Sequence, residues 1–139
     1  MSDTATVIRL RAQARFYALS GVEVLDAMTP EEMASVYNGI GPEWFPDALR
    51  RAIDTLSPDL QCCALIHDIR YARGGGKAVN FVKANAEFEA NGVTIAWSKY
   101  SWWDPRRYIL KRKARAFAGI CTAFGWLAFV AAGMGGRAS

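Results

Sequence analysis

His67 is the only histidine among the 139 residues, so any chemistry that needs an imidazole near neutral pH must use it. It opens the pentapeptide His67-Asp68-Ile69-Arg70-Tyr71, which follows a glycine turn, Tyr37-Asn38-Gly39-Ile40-Gly41, and precedes Ala84-Asn85-Ala86-Glu87-Phe88. Water attacks an ester slowly because it is a poor nucleophile and because negative charge builds on the carbonyl oxygen. A neutral imidazole can take the proton from water, and a hard cation can hold the oxyanion and an adjacent phosphate. Ca²⁺ prefers several oxygen ligands, and a turn with two glycines can aim successive backbone carbonyls at a carboxylate on a neighbouring helix. Gly39, Gly41 and Asp68 meet that description. Together the three segments read as a calcium-assisted esterase site.

Helices must position these groups. Ser57-Pro58 starts one, on which Leu60, Cys63, Ala64, His67 and Tyr71 share a face, and Gly74-Gly75-Gly76 ends it. Phe81, Ala84, Asn85 and Phe88 form the inward stripe of the next, which the pattern closes at Asn91-Gly92. His67 stands 8 residues before Gly75 and Asn85 stands 10 after it, so an antiparallel pair puts the two side chains roughly opposite each other. Successive helical side chains diverge by roughly 100°, so His67 can face the second helix while Asp68 faces the glycine turn. Asn85 is placed to hold the far nitrogen of the imidazole, and Tyr71, one turn from His67, can join the same network.

Elsewhere the signals are also helical. Apolar Ile8, Ala12, Phe16 and Leu19 with Arg9, Arg11 and Arg15 between them predict an amphipathic helix over 5–19, either docked on the body or lying on a membrane surface. Thr29-Pro30-Glu31-Glu32 puts a cap, a proline at the first helical position and a capping-box glutamate in register for a helix to Val36 or Tyr37. Pro46 opens a further short helix to about Leu56. Val93 to Tyr100 is β-branched and aromatic, a strand or a connecting turn. Asp104-Pro105 is another cap signal. Ala116 to Gly136 then runs 21 residues without a charge, and Lys111, Arg112, Lys113 and Arg115 precede it, with Trp102, Trp103 and Tyr108 near that boundary. This segment is either membrane-embedded or interfacial, or it is buried in a core or in a homo-oligomer interface. The expectation is an all-α protein with a helical domain over 1–104 and a basic, then hydrophobic, C-terminal helix over 105–139.

Composition excludes several alternatives. All 13 acidic residues lie at or before Asp104 beside 10 basic ones, a net of −3, whereas the tail carries 7 basic residues and no acid. An acidic body of this kind argues against nucleic acid as a partner. Three cysteines, two of them adjacent, form no disulfide framework and point to a reducing compartment, with Cys62 and Cys63 filling core. The first residues lack the charged and apolar regions of a cleavable secretory signal. The glycine triplet lacks the Gly-Lys-Ser or Gly-Lys-Thr of a nucleotide loop. Cys62, Cys63 and His67 lack a nearby fourth ligand for zinc.

The Tyr-x-Gly-x-Gly turn, the His-Asp-x-x-Tyr helix and the Ala-Asn-Ala-Glu-Phe helix resemble the calcium loop and catalytic helix pair of secreted-type phospholipase A2. They are closer still to the disulfide-free variant found in parvoviral capsid proteins and small phage-encoded proteins. The resemblance covers about residues 35–92. It implies sn-2 ester hydrolysis of a glycerophospholipid, with His67 as general base and Ca²⁺ held by the Asp68 carboxylate and the carbonyls of Tyr37, Gly39 and Gly41. It also implies that the Gly39 amide helps to hold the oxyanion and that Asn85 and Tyr71 orient the base. A phospholipid membrane would be the partner, and the setting cytoplasmic, membrane-associated or a phage virion. The family usually has aspartate where this chain has Asn85. The alternative is therefore a non-catalytic, degenerate relative that keeps the fold as a membrane or phage structural protein.

Overall fold

A computed structural model describes residues 3–37 and 58–126. Among the described residues every regular element is helical. In chain order these are α1 (Thr4–Phe16), α2 (Val22–Asp26), α3 (Pro30–Val36), a 3₁₀ turn (Pro58–Leu60), α4 (Gln61–Arg73), α5 (Ala78–Lys99) and α6 (Pro105–Phe124). The expected short helix from Pro46 lies outside the described residues.

The ends follow local chemistry. Asp3 caps α1 by accepting from the Thr6 amide at 2.7 Å. Thr29 caps α3 in a complete capping box with Glu32, with Pro30 in its first turn. Asp104 caps α6 by accepting from the Arg106 amide. α4 stops at Gly74, and Gly75 and Gly76 take φ of +64° and +74°, a left-handed conformation that only glycine adopts cheaply.

α4 is the central element and touches α1, α2, α3 and α5. Cys62, Cys63, Leu65, Ile66 and Ile69 are buried as well as the predicted face of Leu60, Cys63, Ala64, His67 and Tyr71, so the helix is enclosed on nearly all sides. Each such Leu or Ile contributes about 1.5–3 kcal/mol of burial free energy. α5 is bound to α4 on the outside by Arg70, whose Nε and Nη2 donate to the two Glu87 carboxylate oxygens at 3.0 and 3.2 Å. α6 lies along α5, and Leu110, Ala114, Phe117 and Ala118 enter the same core as α1, α3 and α4.

Two sequence expectations are corrected. α1 does not bury Ile8, Ala12 and Phe16; Ile8 and Phe16 are exposed, and the buried stripe is Val7, Leu10 and Ala14. Both stripes are apolar at helical spacing, and docking against α3 and α4 selected the second. α5 does not close at Asn91-Gly92 and is continuous to Lys99, so Val93 to Tyr100 is neither a strand nor a turn up to that residue. Asn91 is buried, accepts from the Ser20 amide through Oδ1 and donates to the Ser20 carbonyl through Nδ2, each at 2.9 Å. At Gly92 an added Cβ would lie 2.3 Å from the Ala114 Cβ, so the missing side chain is what lets α6 cross α5 this closely. These residues serve the packing of other elements and do not end their own. Asn91→Ala is expected to remove both bonds to Ser20 at about 0.5–1.5 kcal/mol each, measured as a lower urea midpoint at an unchanged slope.

Candidate functional site

α4 and α5 bring four of the predicted side chains together. His67 Nε2 lies 2.8 Å from Asn85 Oδ1, and the Tyr71 hydroxyl donates to the same oxygen at 2.7 Å. The other side of the Asn85 amide is held by α6, because Nδ2 donates to Thr122 Oγ1 at 3.3 Å, and Thr122 in turn donates to the Ala118 carbonyl. With Nδ2 turned to Thr122, Oδ1 must be the atom that faces the ring, and an amide oxygen can only accept. The hydrogen of neutral His67 therefore resides on Nε2 and the lone pair on Nδ1. That lone pair points to the Asp68 side, with Nδ1 4.0 Å from Asp68 Oδ1, too far for a direct hydrogen bond.

Burial shapes the chemistry of the cluster. His67 is 5% exposed and Asn85 4%. The ring lies 4.1 Å from that of Tyr71 by centroid and packs edge-on against Phe88 and Phe117. Burial opposes the imidazolium, but the Asp68 carboxylate and the Cys121 sulfur facing the ring outweigh it and raise His67 to about 10. Burial pushes the Tyr71 phenol far up, so it remains a hydrogen-bond donor to Asn85. Tyr37 is pushed up to about 12 by burial first and by the Asp68 carboxylate next.

Asp68 is the carboxylate beside the imidazole. Among the described residues its Oδ2 is buried without a hydrogen-bond partner, although its side chain as a whole is 25% exposed. A buried carboxylate oxygen with no donor is uncommon and needs a reason, and a hard cation taking oxygen ligands fits it. Among the described residues no three side chains of His, Cys, Asp or Glu converge on one point. Asp68 would thus be joined mainly by backbone oxygens. Tyr37 ends α3 and is described, whereas Gly39 and Gly41, predicted to supply carbonyls and the oxyanion amide, lie outside the described residues.

Comparison of the chain with protein-family models, with curated proteins and with solved structures finds no match. The site must be read from its own geometry.

Sequence reasoning did not anticipate that α6 covers it. Phe117, Cys121 and Thr122 stand over His67 and Asn85 from the segment expected to be a separate basic and hydrophobic helix. Phe117 and Cys121 are spaced i, i+4 and so share a helix face, which was the available signal. No helix of the described residues is long and apolar enough to cross a membrane. The rest of the charge-free run, from residue 127, lies outside them.

Proposed function

We propose that this chain is a phospholipase A2-like protein of the disulfide-free type that hydrolyses the sn-2 ester of glycerophospholipids with Ca²⁺ at Asp68. The observation that carries the reading is the His67–Asn85–Tyr71 network, which fixes a buried imidazole with its free nitrogen toward a carboxylate that has an unpartnered oxygen. Asp68, with the carbonyls of Tyr37, Gly39 and Gly41, would hold the ion in a glycine-turn loop. When bound, Ca²⁺ would polarise the ester carbonyl and cancel the carboxylate's hold on the imidazole proton.

His67 Nδ1 then accepts a proton from water as the water oxygen attacks the ester carbonyl carbon. The resemblance assigns the Gly39 amide to the negative charge that develops on the carbonyl oxygen, which it would help to hold. As the carbon–oxygen bond to the glycerol breaks, Nδ1–H returns the proton to the leaving alkoxide, giving a fatty acid and a lysophospholipid. Asn85 holds Nε2–H throughout, and Tyr71 holds Asn85. The work would take place at a phospholipid surface, in a cytoplasmic, membrane-associated or phage-virion setting.

A second reading is favoured by two observations. His67 is enclosed beneath Phe117 and Cys121, and an amide orients an imidazolium without neutralising its charge. The protein would then be a non-catalytic relative that keeps the fold for structure. Calcium-dependent fatty-acid release from mixed liposomes separates the two. Wild-type protein is expected to release fatty acid with calcium and not with chelator, and Asn85→Asp is expected to raise the rate by about tenfold or more. No release by wild type together with release by Asn85→Asp establishes the degenerate protein; no release by either rejects the hydrolase reading.

A further inference from the structure

We infer that the corner joining α5 to α6, with the outward face of the first half of α6, is a docking surface for an anionic phospholipid bilayer. The inference shares with the proposed function only its lipid, and it rests on separate residues. Trp102 and Trp103 are 75% and 68% exposed, and Tyr108 and Ile109 beside them are 46% and 51% exposed. Large apolar side chains gathered on a surface mark an interaction site, whereas single ones need no explanation. The corner is held in shape: the Asp104 amide donates to the Ser101 carbonyl at 2.9 Å, and the Tyr108 hydroxyl donates to the Trp102 carbonyl at 2.9 Å. The two indoles are therefore presented on a turn tied to the helix that follows it.

The helix that follows the corner carries cations. α6 contains no acid, and its core stripe of Leu110, Ala114 and Phe117 leaves Tyr108, Ile109, Arg112 and Lys113 turned outward. Arg107 and Lys111 stand over the Trp97 ring at 4.2 and 5.4 Å. Arg112 and Lys113 make no ion pair with the described residues. Indoles at headgroup depth with guanidinium and ammonium groups at the phosphates are what an anionic interface selects. Nucleic acid would use the cations but would gain little from an exposed isoleucine beside them. A second copy meeting this face about a two-fold axis would oppose like charges.

Sedimentation with vesicles of phosphatidylcholine alone, or mixed with phosphatidylserine, tests this in chelator, where calcium-dependent hydrolysis does not run. The full chain is expected to bind the anionic vesicles, with a blue shift of tryptophan emission. Trp102→Ala with Trp103→Ala is expected to weaken binding by about tenfold or more. Arg112→Gln with Lys113→Gln is expected to weaken it by about tenfold on anionic vesicles and little on neutral ones. These side chains are exposed, so the fold should persist, with hydrolysis of dispersed short-chain lipid unchanged. Failure of wild type to bind anionic vesicles, or equal binding by the tryptophan double variant, overturns the inference. So does equally tight binding to duplex DNA that ignores the tryptophans, or a dimer in solution that the double variant abolishes. Hydrolysis without docking, or docking without hydrolysis, tells the two proposals apart.

Discussion

His67→Gln is expected to lower calcium-dependent fatty-acid release by about 10²–10⁴-fold, the usual contribution of a positioned general base. Glutamine can still donate from its amide to Asn85 Oδ1, so the network that binds α4 to α5 retains a partner. It offers no atom that takes a proton near neutral pH. The wild-type rate should rise with pH through the titration of the imidazole, because only the neutral ring accepts from water, and that limb should vanish in the variant. Stability carries the opposite sign. His67 is raised from 6.5 to about 10 by Asp68 and Cys121 against the effect of burial, so its contribution in calcium-free protein is full below 6.5 and is lost as pH rises through about 10. Denaturation midpoints of wild type and His67→Gln should therefore converge toward high pH. A folded variant that keeps more than about a tenth of the wild-type rate would remove His67 from the chemistry.

How much of this was legible in the sequence depended on how local the cause was. The Thr29 cap, the stop at Gly74 and the shared face of His67 and Tyr71 follow from residues within a turn or two of each other, and they stand as read. The register that brings His67 to Asn85 could be counted from the glycine triplet because the two helices are joined by a short turn. Asn91-Gly92 carried the local signature of a helix stop, yet Ser20 and Ala114 are distant in sequence and supplied the stronger claims on those residues. The α1 stripe was ambiguous because apolar residues occupy two sides, and only the surfaces of α3 and α4 could choose between them. The lid formed by Phe117, Cys121 and Thr122 is non-local in the same way, since the charge-free composition of that region fits a bilayer as well as a protein core.

Asp68→Asn should separate the metal from the base, and near neutral pH it should also lower the stability of the calcium-free protein, because the carboxylate holds the imidazolium of His67. Asp68 Oδ2 is buried with no donor among the described residues, while the carboxylate raises both His67 and Tyr37. An unpartnered buried polar atom costs about 1–3 kcal/mol, and more when it is charged. The asparagine amide relieves that cost but gives up the hold on the His67 imidazolium, so the calcium-free midpoint should fall near neutral pH, by about 4–8 °C per kcal/mol in a domain near 100 residues, and the gap should close as pH rises through about 10. The gap should widen when calcium is added, because a ligand that binds only the folded state contributes about 2.7 kcal/mol at a concentration 100 times its dissociation constant. The variant should show no calcium shift and no calcium-dependent release, whereas His67→Gln should keep the calcium shift and lose the release. A wild-type midpoint that ignores millimolar calcium would detach the metal from Asp68. A calcium-free midpoint that rises in Asp68→Asn would mean that the carboxylate does not hold the imidazolium.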